Sequence, residues 1–193
     1  MEHFFTIQGE GVHSGTAAYF IRLAGCDVGC HWCDVKDSWD ATIHPVMEIE
    51  DIVEHAKESG APIAVITGGE PTMHNLAELT KQLKKAGMDV HIETSGSSPL
   101  TGTFDWICLS PKKRKPPLKE AYAKADELKV VIYNKDDFAW AEKNAAHVSK
   151  KCELLLQPEW GKSLKMMPMI VDYVKKHPCW QVSLQTHKYM NIP

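Results

Sequence analysis

Short apolar runs recur along the chain, each closing on small or polar residues and most followed by apolar residues at helical spacing. Ala18-Tyr-Phe-Ile-Arg-Leu-Ala24 reads as a buried first strand that ends at Gly25. Residues 47–58 carry Ile49, Ile52, Val53 and Ala56 on one helical face. A second strand over 62–67 runs into Gly68-Gly69, and a helix over 74–86 gathers Leu76, Leu79 and Leu83 before stopping at Gly87. Strands are predicted over 90–93, 105–109 and 128–133, then a helix over 136–146, a strand over 154–156, a helix over 163–176 and a last strand over 180–184.

Repeated βα units imply parallel pairing with right-handed crossovers. The units are too few to close an eight-fold barrel. The expected fold class is therefore α/β, an open, partial parallel βα barrel in one domain spanning 1–193. No repeat, low-complexity tract or linker divides the chain. In such a fold the strand ends converge on one face, so the polar residues that close each apolar run are expected to line an active site there.

Composition removes several function classes. The 193 residues are 44% apolar and 24% charged, ordinary for a globular chain. A net charge of -3 with a pI near 6.4 argues against a nucleic-acid-binding domain. No segment approaches the roughly 18 consecutive apolar residues of a membrane span. Met1-Glu-His-Phe-Phe-Thr-Ile lacks the pattern of a signal peptide, so the six cysteines read as free thiols in a reducing cytoplasm. The basic cluster Lys112-Lys-Arg-Lys115 is either a solvated loop or an anion clamp for a ligand carboxylate or ribose.

Cys26, Cys30 and Cys33 form a C-x3-C-x2-C loop directly after the first predicted strand. Three thiolates are one too few for a tetrahedral zinc or a saturated four-iron cluster. On a [4Fe–4S] cube they would leave one iron open to an outside ligand. The competing reading is structural zinc with His31 or another histidine as the fourth ligand, although no second C-x2-C knuckle occurs. Cys108, Cys152 and Cys179 are isolated and read as buried small hydrophobes.

Three further features carry chemistry. Gly68-Gly-Glu-Pro71 puts two glycines, suited to close backbone approach, beside a carboxylate able to accept from an ammonium group; alone it is also a plain strand-to-helix turn. Gln8-Gly-Glu-Gly11 is either a glycine-rich turn or a polar lip suited to the amide-like edge of a heterocycle. Arg22, alone in an apolar strand, needs a carboxylate partner, from a ligand or from the protein.

The cysteine loop with Trp32 inside it, followed by Gly68–Pro71, resembles the radical S-adenosylmethionine (SAM) superfamily. With Gln8-Gly-Glu-Gly11, Arg22, Cys33-Asp34, Glu93-Thr-Ser-Gly96, Ser110-Pro-Lys112 and Gln185-Thr-His-Lys188, the chain resembles the 7-carboxy-7-deazaguanine synthase family from Phe4 to Pro193. The resemblance implies a homodimeric radical SAM lyase with an incomplete barrel. Its reaction turns 6-carboxy-5,6,7,8-tetrahydropterin into 7-carboxy-7-deazaguanine with ring contraction and loss of ammonia, feeding queuosine and related 7-deazapurines. It also implies a [4Fe–4S] cluster on Cys26, Cys30 and Cys33, and SAM held by Gly69 and Glu70 with Asp34, Thr94, Ser95, Ser110, Lys112 and Gln157. Gln8, Glu10, Arg22, His187 and the carboxylate of Pro193 would bind the pterin. A 5′-deoxyadenosyl radical would start the reaction, with electrons from a flavodoxin or ferredoxin.

One position departs from the family pattern. Members follow the last cysteine with Asp-Thr, whose hydroxyl helps hold Mg2+ at the substrate, and here Val35 follows Asp34. Valine offers a hard cation nothing. The metal is then absent, held through water and substrate, or replaced by an ammonium such as that of Lys36. The competing functions are a radical SAM activase acting on a partner protein and a non-catalytic zinc-stabilised binding module. The Gln8–Gly11 lip and the 185–188 ending speak against the first.

Overall fold

The computed structural model describes residues Met1–Pro193. Eight strands form one sheet in chain order: β1 (Glu2–Ile7), β2 (Ala17–Leu23), β3 (Ile63–Gly68), β4 (Asp89–Thr94), β5 (Trp106–Leu109), β6 (Glu127–Ile132), β7 (Glu153–Pro158) and β8 (Trp180–Val182). β1 runs antiparallel to β2, and every later pair is parallel. β8 does not pair back onto β1, so the barrel stays open as expected.

The crossovers carry α1 (Ile49–Glu58), α2 (Ala77–Lys85), α3 (Lys119–Lys124), α4 (Asp137–Ala145) and α5 (Ser163–Lys176), with α6 (Thr186–Met190) after β8. Three of these elements were not predicted. β1 is an edge strand with no fully buried residue, so it lacks a strong apolar signature. α3 and α6 have six and five residues, too few to show a helical period. The helix expected over 74–86 starts later, at Ala77, because the Asn75 side chain accepts from the Ala77 N–H at 3.1 Å and leaves the preceding residues outside the helix. The strand expected over 180–184 stops at Val182, where Ser183 donates its N–H to Leu156 and its hydroxyl to Gln157.

Strand alternation sorts side chains between two faces. Outward residues pack under the helices in two clusters, one containing Ile21, Ile66 and Ile92, the other Leu128, Ile132, Leu156 and Trp180. The inner positions change character around the barrel. On β2 and β3 they begin apolar (Ala18, Ile63, Val65) and end in Arg22 and Thr67 at the cavity. From β4 onward they are His91, Glu93, Cys108, Glu127, Lys129 and Gln157, several of them almost wholly buried.

The loop between β1 and β2 turns inward and crosses the open seam. Gly11 N–H donates to Ser183 Oγ at 3.0 Å, and Thr186 N–H donates to the Gly9 carbonyl at 2.8 Å. Gly11 has φ +69°, and a Cβ there would lie 2.4 Å from Glu127 Oε1, so only glycine fits. The expected glycine-rich turn is thus a seam closure that carries Gln8 and Glu10 under the cavity.

At the lower end His91 lies between His13 and Trp106, with ring centroids 4.5 and 6.4 Å away. Burial, then His13, push its pKa down to about 4 against the pull of Asp89, Asp105 and Glu127. The folded protein therefore holds His91 neutral where the unfolded chain takes up a proton. Stability contributed by the neutral ring is full above the ordinary histidine pKa of 6.5 and is lost as pH falls toward about 4. Urea midpoints measured across that window should fall with pH, and His91→Gln should flatten the slope.

Candidate active site

One cavity of about 290 Å³ opens at the carboxyl ends of the strands. Cys26, Cys30 and Cys33, all free thiols, form one wall of it. The loop that carries them is fastened at its base by backbone hydrogen bonds. Gly25 N–H donates to Ser38 at 2.7 Å, and Cys26 N–H to Trp39 at 3.2 Å. From the end of β3, Gly69 N–H reaches Leu23 and Glu70 N–H reaches Gly25, at 2.9 and 2.8 Å. A Cβ at Gly69 would lie 2.3 Å from the Gly25 carbonyl. The two glycines therefore permit an approach to the chain's own backbone, where the sequence suggested an approach to a ligand.

The basic cluster divides into separate roles. Arg114 Nη1 donates to the Gly29 carbonyl at 2.5 Å, and Lys115 pairs with Asp27 at 2.5 Å, both bracing the cysteine loop. Lys113 pairs with Asp137 at 2.5 Å. Lys112 alone lines the cavity, donating to the Ser110 carbonyl and hydroxyl at 2.8 and 2.6 Å with its ammonium 5.6 Å from the centre of the Trp32 ring. Lys113 and Arg114 stay exposed, as in a solvated loop, and the cluster as a whole is not an anion clamp.

No three His, Cys, Asp or Glu side chains converge on a point where a single metal ion would sit. The donor set is three soft thiols on one loop, without a fourth ligand. It does not fit tetrahedral zinc and fits a four-iron cluster in which three irons each take one thiolate. Cys108 and Cys152 are buried as expected, but Cys179 is exposed, because β8 begins after it on the outer edge of the sheet.

Glu70 is 2% exposed, and its carboxylate is surrounded by donors. It accepts from Thr72 N–H and Oγ1 at 3.1 and 2.7 Å, from the hydroxyls of Thr94 and Ser95, and from Ser95 N–H at 2.8 Å. Thr94, Ser95, Ser110, Lys112 and Gln157 all border the cavity with Gly69 and Glu70. The residues predicted for one role thus do come together, but Thr94, Ser95 and Glu70 are already bonded to one another.

The floor is charged. Lys129 donates to Glu10 Oε2 and Glu93 Oε2, each at 2.8 Å. Gln185 Nε2 adds a hydrogen bond to Glu10 at 2.8 Å, and Gln8 Nε2 reaches Glu93 Oε1 at 3.3 Å. Burial raises the Glu10 carboxyl, but the Lys129 charge and hydrogen bonds from Lys129, Gln185 and Gln157 bring it down to about 2. Burial acts against the Lys129 charge too, yet the acidic groups around it, Glu10, Glu93 and Glu127 among them, hold it well above the ordinary lysine value. Lys129 was missed from sequence, although it carries the same signal as Arg22, one cation inside an apolar strand.

Arg22 pairs with Glu2 of the unpredicted β1 at 3.1 Å and lies 5.7 Å from the centre of the Phe4 ring, while still bordering the cavity. The structural ion pair considered from sequence is therefore present. His187 on α6 and Pro193 also border the cavity, and Lys188 ties α6 to the cysteine loop through Asp34 at 2.8 Å. Val35 lines the wall, whereas Lys36 is exposed and outside it. Lys36 is not the replacement cation; the ammonium and guanidinium groups bordering the cavity are Lys112, Lys129 and Arg22.

Comparison with known proteins places the chain in a family. The radical SAM superfamily model matches residues 20–133. The 7-carboxy-7-deazaguanine synthase of Flavobacterium psychrophilum is 60% identical over 193 residues, covering 100% of this chain and 91% of that protein. The synthase of Escherichia coli K12 is 34% identical over 218 residues, covering 99% and 97%. The crystal structure of QueE from Escherichia coli superposes with a TM-score of 0.83 at 32% identity, covering 96% of this chain and 92% of that one. No helix is long and apolar enough to cross a membrane. With its three-thiol wall, its open barrel and relatives matched end to end, the chain belongs to the 7-carboxy-7-deazaguanine synthase family of radical SAM enzymes, whose membership implies a [4Fe–4S] cluster and SAM.

Proposed function

We propose that this chain converts 6-carboxy-5,6,7,8-tetrahydropterin to 7-carboxy-7-deazaguanine and ammonia. The observation that carries this reading is a single cavity with three thiols on one wall and an acceptor-rich, lysine-bridged floor opposite. Cys26, Cys30 and Cys33 would hold the cluster. When bound, cluster and SAM supply hydrogen-atom abstraction, chemistry that belongs to the cofactors.

The chain's own work is binding and orientation. Glu70 does not offer its carboxylate to the SAM ammonium, because five protein donors already occupy it. It holds Thr94 and Ser95 in place, and an arriving ammonium meets the carbonyls of the 68–70 turn. Ser110, Lys112, Gln157 and Asp34 border the same space. On the floor, ionised Glu10 accepts from the N–H edge of the pterin, and Gln8 both donates and accepts. Arg22 would bind its carboxylate, with His187 and Pro193, which border the same cavity, closing the site. The single electron comes from a flavodoxin or ferredoxin, and the working form is a cytoplasmic homodimer.

The residues present do not fit a protein-held magnesium. Val35 has no oxygen, Asp34 is engaged by Lys188, and no three His, Cys, Asp or Glu side chains converge. Lys112 and Arg22 supply fixed positive charge to a substrate carboxylate in its place.

Three measurements test the reading. Cluster-reconstituted protein given dithionite, SAM and the tetrahydropterin anaerobically should yield 7-carboxy-7-deazaguanine by mass spectrometry; 5′-deoxyadenosine without that product would defeat the substrate assignment. Turnover in magnesium-free buffer should equal turnover with magnesium added, and Val35→Thr should introduce a response. Glu70→Gln turns an amide N–H2 toward groups that are themselves donors. It should cost about 1–3 kcal/mol in urea unfolding and weaken SAM binding measured by calorimetry.

A further inference from the structure

Loss of ammonia needs a base to take a proton from a ring carbon and an acid to protonate the departing nitrogen. Two carboxylates reach the cavity floor, Glu10 and Glu93, each 20% exposed and each 2.8 Å from the same ammonium. Their remaining partners differ. Glu10 also receives Gln185 at 2.8 Å, while the second oxygen of Glu93 receives Gln8 at a longer 3.3 Å. Further down the barrel lies Glu127, 2% exposed and in no ion pair. Its donors are Val12 N–H at 3.0 Å, Trp106 Nε1 at 3.3 Å and Cys108 Sγ at 3.3 Å. Three carboxylates thus share the interior with one ammonium, and Glu93 is the least satisfied of those that reach the cavity.

We propose that Glu93 is the proton-transfer residue of the reaction, taking a ring proton and passing it to the leaving nitrogen, with Lys129 and Glu127 as positioning residues that set its charge. The proposal rests on the pterin reading above. The step balances. A ring C–H bond breaks, its proton goes to the Glu93 carboxylate and its electron pair forms the new C=C bond. The C–N bond breaks with its pair on nitrogen, which takes the proton from Glu93 and leaves as ammonia. No electron is gained or lost, and the carboxylate is restored.

The groups facing Glu93 are Lys129 and Glu127 from β6, Glu10 and Gln8 from the seam loop, and Cys108 from β5. Burial lifts its pKa, Lys129 draws it back, and Glu127 and Glu10 lift it again, leaving it above the ordinary carboxylate value. Glu10 is pushed the other way. Neighbouring carboxyls driven apart in this manner divide the work, one remaining a charged acceptor and the other able to carry a proton.

The test uses reconstituted holoenzyme with wild type in parallel. Glu93→Gln should still form 5′-deoxyadenosine in the presence of the pterin, with the pterin KM little changed, while kcat for product falls about 100-fold or more. Glu127→Gln should move the acidic limb of the kcat–pH profile to lower pH, since a negative neighbour that raises Glu93 is gone. A merely structural role would leave that limb in place. Glu93→Gln turning over at the wild-type kcat, or losing only affinity, overturns the proposal. If Glu93→Gln fails to assemble its cluster, the Glu127→Gln profile decides, and an unmoved limb overturns it. Wild type that cleaves SAM but makes no 7-carboxy-7-deazaguanine defeats the pterin reading instead, so the two failures are told apart.

Discussion

The ammonium of Lys129 is what allows the interior of this barrel to be polar. It is 4% exposed and lies 2.8 Å from each of two carboxylates, one on a neighbouring part of the sheet and one on the seam loop. Removing one member of such a buried set costs about 3–5 kcal/mol, because the charges left behind have neither water nor partner. The interaction also locates the loop. Glu10 reaches Lys129 only when residues 8–16 lie inside the open seam, where Gly9 and Gly11 leave room against His187 and Glu127. Charge pairing, seam closure and the cavity floor are therefore one arrangement.

The opposite wall is held differently. The cysteine loop depends on main-chain hydrogen bonds to the end of β3 and to Ser38 and Trp39, with Arg114 and Lys115 bracing it from outside. Glu70 extends that frame by gathering Thr72, Thr94 and Ser95 around one buried carboxylate. Main-chain bonds and a saturated carboxylate suit a wall that has to hold three thiolates at fixed separation. The floor is held by charge instead, with Lys129 fixing the ionised state of Glu10.

Much of this was legible along the chain. The βα alternation, the open barrel, the cysteine spacing and the Gly68–Pro71 turn depend on local pattern and rare residue types, which survive without coordinates. β1 escaped because an edge strand half in water shows no clean alternation, and α6 because five residues make barely one turn. Arg22 was noticed as a lone cation in an apolar strand, but its partner Glu2 sits on the strand that escaped. Lys129 shows the same pattern and went unread, since its partners lie 36 and 119 residues away.

The sequence by itself determined most of the β and α elements, the open barrel and the spacing of the thiol loop, because each follows from neighbours within a few residues. Only the tertiary structure decided which charges meet. It joined Glu10, Glu93 and Lys129 in one floor, filled the Glu70 carboxylate with protein donors, and divided the 112–115 cluster among cavity, loop and helix. The physical reason is that a buried charge takes its state from whichever group the fold brings within a few ångströms, and curvature of the sheet, not separation along the chain, sets that distance.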